Sequence, residues 1–113
     1  MADVRVEQVG SLTFAYASGE LTATDAGDFA EALRDYASGA SARLAIDLSG
    51  MKMVDSSGLA ALINLVNRAR LSGGRVVMVA PSSFVAGIFN ITRLDTWFDI
   101  CKSIEEAKSK LVS

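Results

Sequence analysis

The sequence predicts a single α/β domain on a mixed β-sheet, with about four to five strands and four helices. Three observations carry that reading. The chain opens on an alternating hairpin, continues as strand-length apolar runs alternating with segments of helical period, and has 113 residues of which 50% are apolar. That length supplies one core and no second one. The hairpin contributes antiparallel strands and the strand–helix alternation contributes parallel ones, so the sheet is mixed.

In the hairpin, Val4 and Val6 alternate with Arg5 and Glu7, residues 8–11 read as a turn, residues 12–17 as the return strand, and Gly19 as its end. Thr24 is placed to cap a first helix, in which Ala26, Phe29, Ala30, Leu33 and Tyr36 recur at helical spacing up to Ser38-Gly39. Residues 43–48 form a short apolar strand and 49–56 a loop. A second helix from about Ser57 turns Leu59, Leu62, Ile63, Val66 and Ala69 inward and ends at Ser72-Gly73-Gly74, where glycine takes the left-handed cap. The near-continuous apolar run 75–80 is a strand covered on both faces. Pro81 opens a short helix over 82–90 with Phe84, Ile88 and Phe89 inward, residues 97–100 add a short strand, and Ser103 caps a last helix through Leu111.

Composition excludes several function classes. Eleven basic against 13 acidic side chains give a charge of −2, which provides no cationic field for nucleic acid or an anionic bilayer. No nucleic-acid partner is expected. The absence of histidine removes the usual general base near neutral pH and every His-containing triad or zinc site. The lone Cys101 forms neither an internal disulfide nor a multi-cysteine metal site, and reads as a small core residue. Neither phosphate-cradling glycine motif occurs, so no nucleotide cofactor is expected. The first seven residues lack the apolar stretch of a signal peptide, and no run approaches the ~18 apolar residues of a membrane helix. The expectation is a cytoplasmic protein with no membrane insertion.

Functional loops of such sheets gather beyond the carboxyl ends of the parallel strands, and residues 49–58 are the best furnished of them. Ser56 or Ser57 reads as the helix cap. Two adjacent serines cannot share one N-cap, so one hydroxyl faces out at a helix N-terminus, where an added anion is favoured. Local chemistry leaves plain capping and phosphate acceptance both open. Ser49 and Lys52 have the Ser-x-x-Lys spacing of some acyl enzymes, but they precede the helix instead of starting it, and Lys52 reads as a solvated charge or a partner contact. Met51 and Met53 either offer adaptable apolar contact to a partner or pack beneath the loop.

The run Ile46-Asp47-Leu48-Ser49-Gly50-Met51-Lys52-Met53-Val54-Asp55-Ser56-Ser57-Gly58-Leu59 resembles the signature segment of the STAS-domain anti-sigma factor antagonists of bacteria. Gly19-Glu20-Leu21, Gly73 to Val77, and Ile88-Phe89 with Leu94 extend the resemblance over nearly the whole chain. It implies that Ser56, directly after Asp55, is phosphorylated by a cognate anti-sigma factor that is itself a serine kinase. The implied role is partner switching in transcription regulation and stress response. The unphosphorylated protein binds the kinase and frees a sigma factor, phosphorylation ends the complex, and a phosphatase resets it. Such a protein is a substrate and a ligand, not an enzyme, and takes no cofactor. On this reading Asp55, Ser57, Gly58, Met51, Lys52, Met53, Glu20 and Thr22 make up the partner-binding surface around Ser56. Thr22 stands where many members carry an acid, which bears on kinase recognition. The alternative within the family is a non-switched STAS subunit of a lipid-transport or stress-signalling complex.

Overall fold

Alternation in the first strand puts Ala2, Val4 and Val6 on the core side of the sheet and leaves Asp3, Arg5 and Glu7 exposed. From that start the computed structural model, which describes residues 1–112, builds five strands and four α-helices. In chain order they are β1 (Ala2–Val9), β2 (Leu12–Leu21), α1 (Ala23–Leu33), β3 (Arg43–Val54), α2 (Ser56–Ser72), β4 (Arg75–Val79), α3 (Ser83–Ile91), β5 (Ile100–Cys101) and α4 (Ile104–Val112). Single 3-10 turns lie at Asp35–Ala37 and Leu94–Thr96. The strands sit side by side in chain order, with β1 antiparallel to β2 and every later pair parallel. The expected mixed α/β sheet opened by a hairpin is therefore the one formed.

Helices α1, α2 and α3 cover one face, packing Phe29, Leu33, Leu62, Leu65, Val66, Val85 and Phe89 onto Leu44, Ile46, Leu48 and Met78. Helix α4 covers the other, setting Ala107 and Leu111 against Phe14, Ala45, Val77, Val79 and Cys101. The unbroken apolar run of β4 follows, because Val76 and Met78 feed one core and Val77 and Val79 the other. Ser103 caps α4 as expected, accepting from the N–H of Glu106 while the Glu106 carboxylate accepts from the N–H of Lys102. Gly73 caps α2 at φ 83°, and Cys101 is fully buried. Among the described residues no helix is long and apolar enough to cross a membrane.

Several boundaries differ from the sequence reading. Strand β2 does not end at Gly19, which takes φ 88° inside the strand beside a register shift. It runs on because β3 does too. Residues 49–54, expected as a loop, are strand, pairing Gly50 with Ser18, Met51 with Gly19, Met53 with Glu20 and Val54 with Leu21. The glycine punctuation here serves close approach, since a Cβ on Gly50 would lie 3.1 Å from that of Ser18. Strand β4 leaves β3 at the pair Asp47–Val79, so the β2–β3 ladder outruns the rest of the sheet. In α3 the inward residues are Val85, Ile88 and Phe89, whereas Phe84 is 50% exposed. Trp97 lies in the turn before β5 instead of in a strand, half-buried with the Arg70 guanidinium 4.3 Å from its ring.

Candidate functional site

Where the β2–β3 ladder ends, the paired residues Leu21 and Val54 turn directly into α1 and α2. Asp55 sits at that junction as the N-cap of α2. Its N–H donates to the Leu21 carbonyl at 3.2 Å. Its carboxylate accepts from the N–H of Gly58 at 3.0 Å through Oδ1 and from the N–H of Ala23, the first residue of α1, at 3.1 Å through Oδ2. One carboxylate thus satisfies donors at two helix starts, with its charge at the positive end of both dipoles. The expected cap, Ser56 or Ser57, is corrected by this arrangement. The start of α1 is corrected as well, because Thr22 holds its N-cap position in place of Thr24 and makes no side-chain cap bond. The Thr22 hydroxyl faces Asp25 Oδ2 at 3.5 Å.

With capping assigned to Asp55, both serines are released from it. Ser56 is exposed and Ser57 half-buried in the first turn of α2, and among the described residues neither hydroxyl has a hydrogen-bond partner. Gly58 is buried, and a Cβ there would stand 2.3 Å from the Leu21 carbonyl oxygen and 2.6 Å from Val54 Cγ2. Its lack of a side chain lets α2 start against the end of β2.

The remaining residues divide by burial. Glu20 and Lys52 are exposed, and Thr22 and Met53 are half-buried, all on the projecting ladder or at its end. Met51 is 1% exposed inside the main core, so packing beneath the surface is its role and direct partner contact is excluded. Ser49 and Lys52 lie on a strand, where residues three apart face opposite sides, and the Ser49 hydroxyl donates to the Asp47 carboxylate at 2.7 Å. No Ser–Lys pair forms.

Ser82 escaped the sequence reading of this end of the sheet. Its hydroxyl donates to the Met51 carbonyl at 2.6 Å and accepts from the N–H of Val85 at 3.4 Å, anchoring the start of α3 to the overhang of β3. Pro81 followed by Ser82 signals a helix start in the sequence, but the bond to residue 51 is non-local and has no sequence signal. Among the described residues no group of three or more His, Cys, Asp or Glu side chains could hold a metal ion.

The STAS domain family matches residues 3–107 of the chain. An anti-sigma factor antagonist from Mycobacterium paratuberculosis is 22% identical, with a TM-score of 0.86 over 100% of this chain and 96% of that one. The Bacillus anti-sigma factor antagonist SpoIIAA matches in its unphosphorylated form at 14% identity and TM-score 0.72, over 98% of this chain and 99% of its own. Its phosphorylated form matches at 17% and 0.73, over 96% and 98%. The murine anion transporter Slc26a9 matches at 18% identity and TM-score 0.78, over 94% of this chain but 18% of the transporter. At these identities the likeness is one of fold.

Proposed function

The chain belongs to the STAS domain family, and from that premise we propose that it is an anti-sigma factor antagonist of the bacterial cytoplasm, switched by phosphorylation of Ser56. Unphosphorylated, it binds an anti-sigma factor serine kinase and so releases a sigma factor. Phosphorylation ends that complex, and a phosphatase restores it. The observation that carries the reading is the division of labour at the start of α2: Asp55 does the capping, and the exposed Ser56 hydroxyl is left without a partner. A kinase reaches that hydroxyl without unfolding any structure.

A phosphate adds about −1.5 to −2 charge directly after the Asp55 carboxylate. Inside a docked surface it repels acidic partner groups and resists desolvation, whereas the helix N-terminus itself accommodates an anion. The charge therefore acts on the partner. Glu20, Thr22, Lys52, Met53 and Ser57 supply contact around the switch, while Asp55 and Gly58 hold its geometry. Thr22 tunes recognition by the kinase.

The test is affinity capture from the source cells with wild-type, Ser56→Ala, Ser56→Asp and Ser57→Ala baits, joined to intact-mass analysis of the endogenous protein. We expect an ~80 Da adduct at Ser56, absent from Ser56→Ala. We also expect a kinase-type anti-sigma factor retained by wild-type, Ser56→Ala and Ser57→Ala baits but weakened at least about tenfold on Ser56→Asp. Equal capture by every bait with no adduct under any growth condition overturns the switch. If the captured species are then transport subunits, the non-switched reading replaces it.

A further inference from the structure

The two edges of the sheet are unequal. Strand β5 presents two residues, whereas β1 presents eight in unbroken antiparallel register with β2. The Met1 carbonyl accepts from the N–H of Glu20 at 3.1 Å, which makes the odd-numbered residues the hydrogen-bonded partners of β2. The N–H and C=O groups of Ala2, Val4, Val6 and Gln8 consequently point to the open side, where none has a partner among the described residues. Edges of this length are commonly blunted by proline, a bulge or charged side chains; β1 has no proline and no bulge, and its three charges do not share one sign.

Its charges alternate in sign, Asp3, Arg5, Glu7, along one exposed face. The Arg5 guanidinium lies 4.5 Å from the Tyr16 ring centroid and makes no ion pair among the described residues. A second β1 laid antiparallel with Val6 opposite Val6 sets Arg5 of each copy against Glu7 of the other, at both ends of the pair. Centring on Arg5 instead opposes Arg5 to Arg5 and Asp3 to Glu7, which is repulsive. Centring on Val4 also pairs unlike charges, Arg5 with Asp3. That register draws together the starts of the two α1 helices, which sit over the beginning of β1 where the Met1 nitrogen lies 3.8 Å from Asp25 Oδ2.

We propose that β1 is a docking edge for a second copy of this chain, joining the two sheets into one across a two-fold axis at Val6. The pairing forms about six backbone hydrogen bonds and two reciprocal Arg5–Glu7 contacts. It stands independently of the Ser56 reading.

Sedimentation velocity of the full chain, run up to its solubility limit, tests this with Arg5→Glu, Glu7→Arg and their equimolar mixture. The wild type is expected to pass from monomer to dimer with concentration, and each variant to weaken that association about tenfold or more. The mixture recovers the dimer, because the mixed pair again opposes unlike charges at both positions. A wild type that stays monomeric, a dimer indifferent to both substitutions, or a mixture that stays monomeric overturns the proposal. A second readout needs no variant: amide exchange at Val4, Val6 and Gln8 slows as concentration rises. Exchange there that is independent of concentration contradicts it.

Discussion

Both carboxylate oxygens of Asp55 accept backbone N–H bonds, from Gly58 and from Ala23, so removing the carboxylate frees donors at two helix starts together. A single N-cap is worth about 1 kcal/mol. Asp55→Ala should therefore cost about 2 kcal/mol in urea denaturation, and Asp55→Asn less, because the amide oxygen still accepts. Ser56→Ala should stay within about 0.5 kcal/mol, as a surface substitution that breaks no cap. A cost at Ser56 equal to that at Asp55 would return the capping role to the serine. Cys101 gives a second test at this scale. Burial pushes its thiol pKa up, against a smaller opposing pull from Lys110, so near neutrality almost no thiolate forms in the folded chain. Disulfide-exchange reagents should modify it at the rate of unfolding, not at the rate of a free thiol. The sign for stability follows from the same shift. The folded thiol keeps its proton where the unfolded one has lost it, so stability is unaffected below the ordinary thiol pKa and falls as pH rises above it.

Among the elements, α3 shows how a tertiary anchor selects between two faces that the sequence leaves equivalent. Phe84, Ile88 and Ile91 form one apolar stripe and Val85, Ile88 and Phe89 another. Ser82, held to the Met51 carbonyl, sets the phase that buries the second. Phe89 is fully buried and meets Phe98 edge-on with ring centroids 5.0 Å apart. Phe89→Ala should cost about 3–5 kcal/mol, and Phe84→Ser less than about 0.5 kcal/mol. Thermal denaturation of the pair checks the assignment, and equal losses would mean that the helix is turned. The same principle separates what was legible in the sequence from what was not. Element order and type were legible because periodicity is local: Val4 and Val6 in β1, the helical spacing in α2, the apolar run of β4. The extension of β3 through residues 49–54 depends on pairing with β2, more than 30 residues earlier, and Ser49 and Gly50 there imitate loop punctuation. At the site, local chemistry left Ser56 and Ser57 equivalent, and only the resemblance of residues 46–59 to the STAS antagonist signature singled out Ser56. The bond from Asp55 to Ala23 spans 32 residues and leaves no local trace.

For the molecule as a whole, the question is whether a phosphate on Ser56 alters the fold or only the surface. Helix α2 is 17 residues long, held at its start by Asp55 and at its end by Gly73, and buries Leu62, Leu65, Val66 and Ala69 in the main core. An exposed anion in its first turn desolvates nothing within the chain, and the helix dipole favours it by about 0.3–1 kcal/mol. On the proposed reading, the switch belongs to the interface. Ser56→Asp should leave unfolding free energy within about 1 kcal/mol of wild type while weakening kinase binding at least tenfold, or about 1.4 kcal/mol. Salt separates the two physical causes of that loss. Raising ionic strength from about 0.1 M to 1 M shortens the screening length from about 10 Å to 3 Å. Charge repulsion would then fade and part of the lost affinity return, whereas a loss set by desolvation alone would persist. A phosphorylated chain several kcal/mol less stable than the unmodified one would place the switch in the packing of α2 and contradict the surface account.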